Sequence, residues 1–178
     1  MTEPGSPPEE AETAPPPRGR RWLRWVRDIA LVLAVFAAVQ WWQSRDLVKD
    51  QAPPLAGLLI DGSPFQLNPA DGPYLVHFWA TWCPICRLEQ DSIDAIAGDH
   101  PVITVATNSG TAEELQAYMQ EHGLGKRVLL DEAGHLARAW GVTGVPASFV
   151  VDRSGAIRHA AMGYSTGWGL RLRLWLAR

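Results

Sequence analysis

Six residues from Tyr74 to Trp79 are apolar except for His77, and the run is aromatic and short, as a buried strand requires. Ala80-Thr81-Trp82-Cys83-Pro84 interrupts it. From Ile85 the apolar positions change period: Leu88, Ile93, Ile96 and Ala97 recur at helical spacing until Gly98 stops the pattern. A β-branched run at Pro101–Ala106 predicts an inner strand. Thr111-Ala112-Glu113-Glu114 has the spacing of a capping box, opening a helix that carries Leu115, Tyr118 and Met119 to Gly123. A short strand at Val128–Leu130 and a short helix at Gly134–Trp140 follow. Ala147–Asp152 and Ala156–Met162 then flank Arg153-Ser154-Gly155, a hairpin signal. Upstream, Leu58–Ile60 and Phe65–Leu67 flank the turn Asp61-Gly62-Ser63-Pro64. In the tail from Trp168 to Arg178, Leu170, Leu172, Leu174 and Leu176 alternate like a strand, yet Leu170, Leu174 and Ala177 share a helical face; a helix is expected. Strands alternating with helices and closing on a hairpin predict an α/β sheet, part parallel and part antiparallel, over residues 55–178. Residues 45–54, polar and ending in Pro53-Pro54, read as a linker.

The first 44 residues follow another pattern. Residues 1–27 are expected to be a disordered, basic segment: 1–17 have no large apolar residue after Met1, and 18–27 hold five arginines and no acid. Residues 28–44 are expected to be a transmembrane anchor. The uncharged run from Ile29 to Ser44 is shorter than the ~20 residues a bilayer asks for, but tryptophans flank it and arginines at one end have room to snorkel. The arginine cluster predicts a cytoplasmic N-terminus with everything downstream across the membrane. The competing reading is a cleaved secretory signal, with a site near Ala34, Ala37 or Ala38; Trp41-Trp42 suits an anchor better. Either way the domain is expected outside the cytoplasm, where disulfides persist.

Composition changes this picture little. A net charge of −3 leaves no basic footprint, so no nucleic-acid partner is expected. The two cysteines matter more. Cys83 and Cys86 are the whole cysteine complement, and Cys83 falls where the strand turns into the helix. Unpaired N–H groups and the positive end of the helix dipole favour a thiolate there, and Pro84 suits the first turn. A reversible dithiol/disulfide is the first reading. Zinc needs a second ligand pair, and the five histidines offer none at ligand spacing, so no metal is expected. A merely structural bridge across so short a loop adds little stability.

Phe78-Trp79-Ala80-Thr81-Trp82-Cys83-Pro84-Ile85-Cys86-Arg87, then Glu89, Leu130-Asp131, Gly141-Val142-Thr143-Gly144-Val145-Pro146 and Phe149-Val150-Val151-Asp152 resemble thioredoxin-fold proteins. Within that group the chain is similar to the membrane-anchored TlpA/ResA/DsbE-like branch, and in its overall text to ScsD-type disulfide oxidoreductases. The match covers residues 53–178. The resemblance implies a thioredoxin fold with an N-terminal β-hairpin extension and a protein thiol–disulfide oxidoreductase needing no cofactor beyond a redox-active Cys83–Cys86 disulfide. Cys83 would be the exposed nucleophile and Cys86 the more buried resolving thiol. Pro146 would be a cis-proline presenting the Val145 backbone to an extended substrate, in the manner of strand addition. Trp82, Pro84 and Ile85 would complete the docking surface, and the Pro84-Ile85 dipeptide with Val145 would set the reduction potential. The implied partners are periplasmic cysteine-containing proteins and a membrane electron donor of DsbD/ScsB type, with the chain held in a bacterial inner membrane.

Departures from the family pattern are informative. Relatives often carry a buried acid six residues before the first cysteine; here it is His77, a candidate proton relay. Glu89, one turn after Cys86, is a second relay candidate, with a solvated helix-face carboxylate as its plain alternative. The helix-kinking proline is replaced by Asp91, and the acid after the cis-proline by Ala147, which argues against apocytochrome c as substrate. Reductant is the expected direction, with an oxidant of protein folding as runner-up. A copper-binding module using Cys83, Cys86 and His135 is the rival from another class. A peroxidase usually has threonine three residues before a lone cysteine, whereas Thr81 is two before Cys83.

Overall fold

The computed structural model describes residues 18–125 and 127–178, with backbone alone at residues 18–21, 40, 43 and 44. The segment before Arg18, expected to be disordered, lies outside the described residues. The chain divides into two compact units, one ending at Val39 and the other running from Gln40 to Arg178.

Helix α1 spans Arg18–Ser44. The arginine-rich stretch expected to be disordered is therefore helical from Arg18, as arginine's good helix propensity permits. Apolar side chains along α1, including Leu31, Val32, Val35 and Phe36, are exposed. Among the described residues no helix is long and apolar enough to cross a membrane.

In the second unit, β1 (Ala56–Leu58) and β2 (Pro64–Gln66) form an antiparallel hairpin. It sits up to two residues earlier than its sequence suggests, for a physical reason. Asp61 Oδ1 accepts the Ser63 N–H and hydroxyl, and the Leu59 N–H donates to the Ser63 carbonyl, so the turn consumes Leu59 and Ile60. These two residues then bond to the main sheet, Ile60 through its N–H to the Val128 carbonyl. That sheet has the order β5-β4-β3-β6-β7: β3 (Tyr74–Trp79), β4 (Val102–Thr107) and β5 (Val128–Asp131) are parallel, while β6 (Ala147–Val151) and β7 (Ile157–Met162) run antiparallel.

Alternation along β3 sets the two faces of the sheet. Val76 and Phe78 point into a core with Phe149 and Trp140, whose rings meet edge to face at 5.0 Å. Leu75 packs with Ile93 and Ile96 of α2 (Pro84–Ala97) and with Leu170 and Leu174 of α5 (Gly167–Leu176). His77 and Trp79 share that second side. In α5 the helical reading of the tail prevails because Leu170, Leu174 and Ala177 bury one stripe and the Thr166 hydroxyl caps the first turn. Helix α3 (Ala112–Glu121) has the expected capping box between Thr111 and Glu114.

The segment expected as a linker is instead part of the fold. Leu47 is buried, and the Val48 N–H donates to the Trp140 carbonyl. Gly141 (φ +69°), after α4 (His135–Ala139), makes this possible: a Cβ there would lie 2.0 Å from the Asp46 carbonyl oxygen.

Candidate active site

Cys83 is the N-cap of α2, with extended φ/ψ of −88° and 110°, and Pro84 occupies the first turn behind it. Its Sγ accepts the Cys86 N–H at 3.1 Å, so the sulfur takes the place of the usual capping oxygen. Cys83 and Cys86 are joined in a disulfide, Cα atoms 5.3 Å apart. In the reduced protein the same N–H and helix end would face a thiolate at Cys83, which favours ionisation.

The second wall of the site is the loop between α4 and β6. Val145–Pro146 is a cis peptide, and the Cys83 Sγ lies 3.6 Å from the Val145 carbonyl oxygen. Asp131 holds this loop from below: its two carboxylate oxygens accept the Leu136 and Ala137 N–H groups that begin α4. Trp140 then anchors the end of α4 between Phe78 and Phe149.

Trp82 lies across the mouth, 61% exposed, its indole N–H donating to the Asn108 carbonyl at 2.9 Å. Asn108 turns with φ +47°, and the Ser109 hydroxyl accepts the Thr81 N–H. A cavity of about 100 Å³ opens between Trp82, Thr107, Asn108, Thr143, Gly144 and Val145. It has room for a small side chain of a bound peptide. Ile85, between the two cysteines, is exposed.

Behind the disulfide is a buried polar pair. The register of β3 and β6 sets His77 opposite Ser148, and His77 Nδ1 is 3.0 Å from the Ser148 hydroxyl. His77 Nε2 is 3.8 Å from Glu89 Oε2. Glu89, one helical turn beyond Cys86, is 1% exposed, and its other oxygen accepts the Ser165 N–H. Burial pushes the Glu89 carboxyl from its ordinary 4.5 up to about 7, against the downward pull of the Ser165 bond.

Comparison with known proteins is decisive about ancestry. The profile of the AhpC/TSA family matches residues 48–160. The chain belongs to the AhpC/TSA family. Within this thioredoxin-like family it is 40% identical over 91 residues to the thiol:disulfide interchange protein DsbE of Allochromatium vinosum, a match covering 50% of each chain. To the DsbE of Escherichia coli K12 it is 28% identical over 153 residues, 76% of this chain and 82% of that one. A thiol:disulfide interchange protein of the thioredoxin family from Chlorobium tepidum superposes with a TM-score of 0.63 at 28% identity, over 73% of this chain and 97% of that structure. The fold is thus a thioredoxin fold with its β1–β2 hairpin extension.

The structure brings Trp82, Cys83, Pro84, Ile85, Cys86, Val145 and Pro146 to one rim, with His77 and Glu89 beneath it. Two readings need correction. Cys83 is less open than an exposed nucleophile would be: joined in the disulfide, both cysteines are buried, Cys83 3% exposed and Cys86 1%, with the Cys83 Sγ against the Val145 carbonyl. Glu89 is not a solvated helix-face carboxylate, since α5 and the Ser165 turn cover that face of α2. Helix α2 is continuous over Pro84–Ala97, with Asp91 inside it. His135, weighed as a copper ligand, pairs with Arg138 and lines a groove under β1 that neither cysteine lines. Sequence reading missed Ser148, Ser165 and Asn108. Ser148 is found through the β3–β6 register, which no local sequence pattern carries.

Proposed function

We propose that this protein is a thiol–disulfide oxidoreductase that reduces disulfides of partner proteins through Cys83 and Cys86. The observation that carries the reading is the capping geometry: the sulfur that must be nucleophilic sits on the α2 N-terminus, accepts the Cys86 N–H and lies against the Val145 carbonyl. In the reduced enzyme the Cys83 thiolate attacks one sulfur of a partner disulfide. The partner's other sulfur leaves as a thiolate and takes up a proton, and a mixed disulfide remains. Cys86 loses its proton and attacks the Cys83 Sγ. This forms the Cys83–Cys86 disulfide and releases the partner's second thiolate. Two electrons pass to the partner, which ends as a dithiol, and no other cofactor is called on.

Glu89 is the base in this proposal. A carboxyl titrating at about 7, one turn from Cys86, is matched to taking a proton from that thiol near neutral pH. The Ser165 N–H holds its other oxygen, and His77, bonded to Ser148, completes the relay. The cavity between Trp82 and Val145 would seat a residue flanking the partner's cysteine while its backbone pairs with Val145.

The cellular setting belongs to the same proposal. Helix α1, with exposed apolar side chains between tryptophans and an arginine-rich start, supports an inner-membrane anchor with the catalytic unit in the periplasm. The partners would be periplasmic cysteine-containing proteins, and the donor a membrane electron carrier of DsbD/ScsB type. The midpoint potential tests the direction: a value near thioredoxin's (about −270 mV) supports the reductant, and one near that of a strong oxidant (about −120 mV) overturns it.

A further inference from the structure

Helix α5 has two apolar faces. Leu170, Leu174 and Ala177 form the buried one. On the other side Trp168, Leu172, Trp175 and Leu176 fall within about 100° of the helix circumference, and they are 87%, 57%, 60% and 66% exposed. No acid lies on α5. Arg171 borders the exposed stripe on one side, with Arg178 just past the helix end; Arg173 borders it on the other. Arg171 is tied back to Asp99 and the Ala95 carbonyl, which holds its aliphatic stem along the helix beside the stripe. Trp168 and Arg171 also line an open cavity with Ser92 and Ala95 of α2, so the apolar surface extends past the helix itself.

We propose that this outer face of α5 lies on an anionic lipid surface. Indole and leucine side chains at the level of the acyl boundary, with Arg173 on one flank and Arg178 on the other to reach headgroup phosphates, are the pattern of an in-plane interfacial helix. Charge decides against a neutral surface, because the only ionisable groups bordering the stripe on α5 are cationic. Charge also decides against a second copy: an isologous contact would set the arginines flanking one stripe against those of the other, like charge on like. The inference depends neither on the dithiol chemistry nor on α1 being an anchor.

The test uses the full chain labelled with 5-fluorotryptophan in nanodiscs of phosphatidylcholine and phosphatidylglycerol that carry a headgroup-spin-labelled lipid. Single Trp→Phe variants assign the fluorine resonances. Trp168 and Trp175 are expected to lose intensity while Trp82 and Trp140 keep theirs. The loss should shrink in phosphatidylcholine alone, in Arg173→Gln/Arg178→Gln and in Leu172→Asp, an exposed change that leaves the core intact. Undiminished Trp168 and Trp175 signals overturn the proposal, as does an equal loss in neutral discs. Resonances that move with protein concentration in the absence of lipid overturn it in favour of a second copy. The Trp41 and Trp42 resonances report α1 separately, so a failure of one reading is distinguishable from a failure of the other.

Discussion

His77 Nε2 stands 3.8 Å from Glu89 Oε2, and both side chains are shut away from solvent. A buried strand histidine and a buried helix carboxylate do not meet by default, since each loses hydration that its partner must replace. Here Ser148 bonds His77 and the Ser165 N–H bonds Glu89, which lies one helical turn beyond the resolving cysteine.

Glu89→Gln is therefore expected to slow resolution of the mixed disulfide by roughly 10²-fold near pH 7 while sparing the first attack by Cys83. Stopped-flow kinetics that follow the two steps separately check this. The rate of the second step should also lose its rise through pH 7, which a purely structural defect would not remove.

The same carboxyl makes a stability prediction. Its pKa is raised in the folded state, from 4.5 to about 7, so the native state binds the extra proton. The contribution is fully present below pH 4.5, declines as pH rises, and is lost above about 7. Denaturant midpoints of the wild type should fall across that window relative to those of Glu89→Gln; burial holds His159 down to about 4, which raises stability with pH in both proteins and cancels in the difference.

Asp131→Ala removes the acceptor of two N–H groups at the start of α4. A cost of about 1–3 kcal/mol is expected in chemical denaturation, with weaker exchange activity because the Val145–Pro146 loop loses its support. Asp131→Asn should recover part of both.

Trp82→Phe deletes the indole N–H bond to the Asn108 carbonyl and reshapes the cavity beside Val145. Peptide substrates should show a KM raised several-fold with kcat nearly kept, because the group binds and does not react. An unchanged KM would remove Trp82 from the docking surface.

Much of this was legible in the sequence where local physics dominates. The period change from Tyr74–Trp79 to the Ile85–Ala97 stripe located the dithiol at the α2 N-terminus, and Thr111-Ala112-Glu113-Glu114 marked the cap of α3 correctly. Long-range pairing was less visible. Nothing local tells that Ser148 falls opposite His77, since that depends on the register of two strands 71 residues apart. Glu89 looked solvated because its helix neighbours are polar; the burial comes from the Ser165 turn, 76 residues on. Residues 45–54 looked like a linker because their composition is polar, yet one buried leucine and the space at Gly141 fix them to the fold.

Thiol titration bears most directly on the dithiol. In the fully reduced chain, alkylation by iodoacetamide across pH, read by mass spectrometry at each cysteine, should show Cys83 reacting with a midpoint at least about one unit below the free-cysteine value of ~8.5, and Cys86 well above Cys83. Two cysteines that react together, and only near or above pH 8.5, would contradict a nucleophile made by the α2 N-terminus.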